Sequence, residues 1–232
     1  MKKIKQKPKG NDKKNFEEFY FEGYYSGIGD FSEKRDRELK NWFRGMFEYI
    51  NKYYLLKNGK GKDLIEFGCA TGASSLVLRD FGWRVTATDI SKYAVKKAYK
   101  DLKGINFLVH DMEKPFVKNK FDLAVAFDVI EHLPHPELAI ENAYSLLKKG
   151  GAVIFSTPND YPHVSNDPTH INVKPPKAWE RILKKAGFKN IYMKQITLIP
   201  YFYKWYWRLA VALPFATKSP YFISPVIIIG KK

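Results

Sequence analysis

The sequence predicts an α/β domain in which a mostly parallel sheet is covered by helices on both faces, and three observations predict it. Short apolar runs alternate with segments of helical periodicity from Asp63 onward. A glycine-rich turn separates the first run from the first of those helices. Of the 232 residues, 45% are hydrophobic, enough to fill a sizeable core.

Each element follows in order. Residues 1–15 are Lys-rich and poor in apolar side chains, so they cannot offset their ordering entropy and are expected to form a disordered basic arm. The stretch FEEFYFEGYYSGIGDF carries glycines at 23, 27 and 29, which mark a loop or lid. Ser32 then caps a helix expected to run to Leu56, with Leu39, Trp42, Phe43, Met46, Phe47 and Ile50 on its apolar face. Residues 16–60 are thus read as an aromatic lid and cap helix, and 61–232 as the main domain.

Within that domain DLIEF, RVTAT and INFLV read as strands, separated by helices over 73–81 and 92–102. FDLAVAF, a helix from Pro136 to Leu147 and the strand AVIFST continue the alternation. A Pro- and Asn-rich loop spans 158–176, and a helix of about ten residues ends at Gly187. FKNIYMKQITL and PVIIIG flank an aromatic insertion, 198–223, and are expected to form an antiparallel edge pair.

The formal charge of +16 is confined to the two ends of the chain. Residues 1–14 carry seven Lys and one Asp, and ten Lys or Arg but no acid follow Glu180, leaving 23 of each sign between. A basic partner surface therefore belongs to the termini. The single cysteine, Cys69, excludes an intrachain disulfide and fits a reducing, cytoplasmic compartment. No secretory signal is expected at a start without an apolar core, and no run of 18 apolar residues exists to span a membrane.

The chemistry centres on Glu66-x-Gly68-x-x-x-Gly72 after the first strand. Such a turn lets a ligand approach backbone amides at a helix start. A dinucleotide fingerprint would need glycine at 70 and 73, where alanines stand, and a phosphate loop would need Lys after Gly72, where Ala73 stands. Asp89 ends the next strand 21 positions past Gly68, where a carboxylate can accept both ribose hydroxyls. The pattern suits one adenosyl group without a pyrophosphate. Asp89 as a mere helix-cap partner of Ser91, and Cys69 and Met112 as plain packed residues, are the competing structural readings.

IEFGCATG, TDIS at 88–91, HDMEKPF at 110–116, FDLAVAFDVIEHL at 121–133 and LLKKGGAVIFSTPN at 146–159 together resemble the class I S-adenosylmethionine-dependent methyltransferases. The resemblance spans roughly residues 60–190 and points to the branch of the ubiquinone-biosynthesis O-methyltransferases. It implies a Rossmann-like sheet of seven strands with the last antiparallel, and S-adenosyl-L-methionine as cofactor. By the same resemblance Glu66 and the backbone of Gly68, Cys69, Ala70 and Gly72 hold the methionine part, while Asp89 holds the ribose. Ile90 would pack on the adenine, Asp111 would accept from its amino group, Met112 would lie on the ring face, and Phe127 and Asp128 would line the methionine side. Ala70 stands where the family more usually has glycine, so a positive φ there would be strained.

His132, His135, His163 and His170 follow the fourth and fifth strands and are expected to converge on the acceptor. His132 is the first candidate base and His170 the second. No metal is assigned, but Asp128, Glu131 and His132 would share one face if that segment were helical. Some small-RNA and quinone methyltransferases resemble this cluster and use it for Mg²⁺. The favoured acceptor is a small molecule or lipid hydroxyl, methylated on oxygen; an RNA acceptor and a non-catalytic cofactor-binding protein are the alternatives. The insertion combines nine aromatic residues with Lys204, Arg208 and Lys218 and no acid, which suits an anionic membrane surface, a long apolar acceptor, stacked bases beside phosphates or a helical insertion packed as core. Peripheral membrane association is expected on the first of these. Oligomeric state is not legible.

Overall fold

A computed structural model describes residues 16–17, 20–21, 33–116, 120–162, 164, 167–199, 202–219 and 222–232. The basic arm, the Ser32 cap, most of the lid, His163, and Tyr201 and Tyr221 of the insertion lie outside the described residues. The elements are α1 (Glu33–Ile50), β1 (Asp63–Phe67), α2 (Ala73–Asp80), β2 (Arg84–Asp89), α3 (Lys92–Asp101), β3 (Asn106–Val109) and β4 (Phe121–Phe127), followed by α4 (Pro136–Leu146), β5 (Leu147–Pro158), α5 (Pro176–Lys185), β6 (Lys189–Gln195), β7 (Thr197–Ile199), β8 (Val211–Leu213) and β9 (Pro225–Lys231).

Seven strands form one sheet in the order β3-β2-β1-β4-β5-β9-β6. The pairings from β3 to β5 are parallel, and β9 runs antiparallel to both β5 and β6. Period-2 alternation divides the buried residues between the two faces. Leu64, Val85, Leu123, Val125, Ile154 and Ile229 pack under α1, α2 and α3 through Phe47, Ile50, Val77, Leu78 and Val95. Ile65, Phe67, Ala124, Val153, Phe155 and Ile228 pack under α4 and α5 through Ile140, Ala143, Leu146, Trp179 and Leu183. Chain order reverses between β1 and β4, and a ligand crevice opens outside the carboxyl ends of strands at such a switch point.

Three expectations are corrected. Helix α1 stops at Ile50, six residues before Leu56, because the Asn51 side chain accepts the Lys57 N–H at 2.9 Å and closes a turn. The buried Leu56 is then held by the Trp83 indole, which donates to its carbonyl at 2.6 Å. The run FKNIYMKQITL breaks at Ile196, so that β6 stays in the main sheet and β7 pairs antiparallel with β8 in a second sheet. Among its described residues the insertion forms no α-helix: a hairpin and two 3₁₀ turns, Phe202–Lys204 and Trp207–Leu209, make up its regular structure.

The insertion is clamped on α1. Gly45 makes the close approach possible, since a Cβ there would lie 2.1 Å from the Ala210 Cβ. Trp42 meets Tyr203 edge-on at 5.1 Å between centroids, and the Arg44 guanidinium lies 5.0 Å above the Trp207 ring and 5.8 Å from Phe81. Trp207 is thus an anchor, whereas Trp205 is 78% exposed.

Candidate active site

A cavity of about 620 Å³ lies at the switch point. Its first wall is the turn from Gly68 to Ser74 with Asp89, Ile90, Asp111 and Met112. Gly68 takes φ 69°, and a Cβ there would meet a Val129 methyl at 2.3 Å. Ala70 does adopt the left-handed conformation, φ 46°, and its N–H donates to Asp89 Oδ2 at 2.9 Å. The Ser91 N–H donates to Asp89 Oδ1 at 2.9 Å. Asp89 therefore fixes the turn and the start of α3 together, and it lines the cavity. Burial pushes its carboxyl up to about 6, against the backbone amides that favour the anion. A buried carboxylate held by backbone donors is a ready acceptor for paired hydroxyls, so these residues fit an adenosyl group.

Not every residue expected here reaches the wall. Glu66 is fully buried beneath the turn and takes a hydrogen bond from the Ser75 hydroxyl, so it braces the first turn of α2 instead of facing the cavity. Its desolvation raises the carboxyl to about 7. Gly72, φ 85°, also sits off the wall, with Leu102 and Phe107 crowding the position of a Cβ. Cys69 is on the wall, with burial and the Asp89 and Glu66 charges holding its thiol far from ionisation. Met112 serves both as core beside α4 and as cavity lining. Asp111 caps its own turn by accepting from the Glu113 N–H at 3.0 Å.

The second wall carries His132 and His170, whose rings lie 4.8 Å apart. Thr169 O and Val164 O each sit 3.0 Å from the Nδ1 of His132 and His170 respectively, which assigns the proton to Nδ1 and leaves Nε2 as the acceptor nitrogen in both rings. Burial first, then its histidine neighbour, lowers His132 to about 4, so the ring is neutral at physiological pH. Asp167 takes the Thr169 N–H and hydroxyl at 2.9 and 2.6 Å, and its other oxygen stands 3.9 Å from His170 Nε2. His135 instead precedes α4 on the exposed surface, and His110 is the histidine that joins the wall in its place.

Asp128, Glu131 and His132 do not share a helical face. Strand β4 ends at Phe127, Asp128 turns to φ 53°, and Ile130–His132 is a single 3₁₀ turn. Asp128 accepts from the Ser156 hydroxyl at 3.0 Å and lines the cavity, where desolvation by the surrounding protein raises its carboxyl. The ligand atoms that do converge, within 4.8 Å of one another, belong to Glu131, His132 and His170. Both Glu131 oxygens are buried without a hydrogen-bond partner among the described residues. Thr157 is near enough to favour the anion without reaching hydrogen-bond geometry. Burial and then the Asp128 charge drive the Glu131 carboxyl well above its ordinary range.

Sequence reasoning marked the lid but not its contacts. Glu17 accepts from the Ser91 hydroxyl and from the N–H groups of Lys92 and Tyr93 at 3.2, 3.3 and 3.0 Å, so it caps α3 beside Asp89. Tyr20 and Phe21 pack on Ala94 and Ala70, and Phe16 meets the His132 ring edge-on at 6.1 Å. A third, apolar side of the cavity comes from Leu39, Trp42, Phe43, Tyr203, Phe222 and Ile223. The apolar face of the cap helix and the aromatic richness of 16–31 and 198–223 were the signals for these.

A methyltransferase-domain family profile matches residues 33–193. Ubiquinone biosynthesis O-methyltransferase of Coxiella burnetii is 33% identical over 118 residues, 48% of this chain and 49% of that one. Malonyl-[acyl-carrier protein] O-methyltransferase of Paenibacillus sp. is 28% identical over 66% of each chain. The chain thus spans about half the length of the curated ubiquinone enzymes it matches. Magnesium protoporphyrin IX methyltransferase from Synechocystis PCC 6803, solved with bound SAH, superimposes with a TM-score of 0.64 over 95% of this chain and 100% of that one at 16% identity. With the strand order, the glycine turn and Asp89 at the switch point, this chain belongs to the methyltransferase-domain family.

Proposed function

We propose that the protein transfers a methyl group to a hydroxyl oxygen of a small or lipophilic acceptor, in the cytoplasm and at the periphery of a membrane. The observation that carries this reading is one cavity with an adenosyl-compatible wall, a histidine pair opposite, and an apolar side between them. S-adenosylmethionine supplies a methyl group already activated on a sulfonium, so the protein's work is alignment and removal of one proton. Asp89 would orient the ribose, Ile90 and Met112 the adenine with Asp111 at its edge, and the turn from Gly68 to Thr71 the methionine end, beside Phe127 and Asp128. His132 Nε2 would take the acceptor's proton as the new C–O bond forms, with Thr169 O holding the tautomer and His170 beside the ring. The test is turnover of hydroxyl compounds of graded apolarity with labelled cofactor; methylation confined to RNA or to amines would overturn it.

A second reading is favoured by the unpartnered Glu131 carboxylate. A base with a pKa near 4 is poorly matched to a hydroxyl proton, whereas a divalent cation held by Glu131, His132 and His170 would lower the hydroxyl's own pKa. Loss of turnover in EDTA with recovery on Mg²⁺ selects the cation, and full activity in EDTA selects the base.

A further inference from the structure

The inner face of the insertion is committed to α1 and the cavity, but its outer face is not. Trp205, Phe215 and Phe202 are 78%, 57% and 49% exposed, and Tyr206, Leu209 and Ile223 are also exposed. Large apolar side chains grouped on one element mark an interaction site more often than scattered single ones do. Lys204, Arg208 and Lys218 stand among them, and the sequence from 198 to 223 holds no acid. Arg208 lies across the Tyr206 and Trp207 rings at 5.9 and 5.3 Å, an arrangement of cation over aromatic that suits the headgroup level of a bilayer.

We infer that this outer face docks on an anionic lipid bilayer. Charge complementarity selects the anionic surface, and the aliphatic share, Leu209, Val211 and Ile223, favours acyl chains over bases, since aliphatic side chains offer no stacking platform. Among the described residues no helix is long and apolar enough to cross a membrane, so the contact is interfacial. The clamps at Gly45, Trp42 and Arg44 hold the face in place before it meets lipid. The surface is continuous with the cavity through Tyr203, Phe222 and Ile223, so a lipophilic acceptor would pass from bilayer to cavity without crossing water. The inference extends the lipophilic-acceptor reading but is measured apart from it.

Flotation of the full chain with phosphatidylcholine vesicles, with and without 30 mol% phosphatidylglycerol (on the order of a cytoplasmic leaflet's anionic content), tests it. Runs at roughly 0.5 M NaCl screen the basic arm. Binding to anionic vesicles that persists in high salt is expected, with a loss of about tenfold or more for Trp205→Ser combined with Phe215→Ser. Lys204→Gln with Arg208→Gln should weaken binding several-fold on anionic vesicles and leave neutral ones unaffected. Unchanged cofactor binding by calorimetry would show that the variants are folded. No flotation at either salt, flotation indifferent to both variants, or salt-sensitive RNA binding lost with the same substitutions would each overturn the inference. Vesicle binding without methylation of any lipid hydroxyl would instead refute the acceptor reading and leave the surface standing.

Discussion

The two walls of the cavity are assembled in different ways. The wall that fits the cofactor comes from one continuous stretch, Gly68 to Met112, in which three strand ends follow one another and backbone hydrogen bonds hold the turn to Asp89 and to β2. The opposite wall is gathered from the lid at Phe16, from α1, from the turn after β4, from the loop after β5 and from the insertion, segments up to about 200 positions apart in sequence. Its geometry rests on side chains meeting across the fold. A contiguous wall tolerates little change in its backbone but holds its ligand by many small contacts, whereas a gathered wall can concentrate the chemistry in one or two groups.

The largest effect should therefore fall on the gathered wall. His132→Ala is expected to lower kcat by roughly 10²- to 10⁴-fold, with cofactor affinity held within a few-fold. Equal damage to cofactor binding, read by calorimetry with S-adenosylhomocysteine, would break the division between the walls.

Beneath the contiguous wall, Glu66 should govern stability. Its folded-state pKa, about 7, is raised above the ordinary 4.5, so the folded protein binds the extra proton between those values and loses stability as pH rises through them. The change is worth about 3 kcal/mol in the cofactor-free protein. Glu66→Gln should remove that part of the slope and raise the melting temperature at pH 8 more than at pH 5. A melting profile in which the variant parallels the parent at every pH would remove Glu66 from this role.

Asp89→Ala comes next, at about 1 to 3 kcal/mol of cofactor affinity, since two backbone donors and the ribose hydroxyls would lose one shared acceptor. Unchanged affinity would place the cofactor elsewhere. The smallest effect sharpens the same wall: Ala70→Gly should stabilise by less than about 1 kcal/mol, because glycine takes φ 46° without steric cost. Thermal melts would register a rise of about 2 to 4 °C at most.

This division also governs how much could be read in advance. The parallel sheet, the glycine turn, Asp89 and the positive φ at Ala70 follow from local chemistry, since each depends on residues within one βα unit. The resemblance places Glu66 on the ligand, but the Ser75 hydroxyl that holds its carboxylate beneath the turn is a tertiary contact. Likewise His132 and His170 could be named, yet their pairing depends on the Pro-rich loop folding back so that Thr169 O reaches the His132 ring. Asp128, Glu131 and His132 share a face only on a helix, and because the chain makes a single 3₁₀ turn there, the ligand-type atoms that converge among the described residues are those of Glu131, His132 and His170. The insertion's aromatic content was plain, but a helical prior could not anticipate a hairpin fastened at Gly45.

Phe16 and Glu17 touch both walls at once, with Glu17 at the helix end beside Asp89 and Phe16 against His132. Two ligands that each favour the same ordered segment are thermodynamically linked, and linkage is reciprocal. Bound cofactor should raise acceptor affinity by the same factor by which acceptor raises cofactor affinity. Glu17→Ala, which removes three hydrogen bonds without touching either ligand's own contacts, should bring that factor close to one. The short segment would then act as the element through which each half of the cavity registers the occupancy of the other.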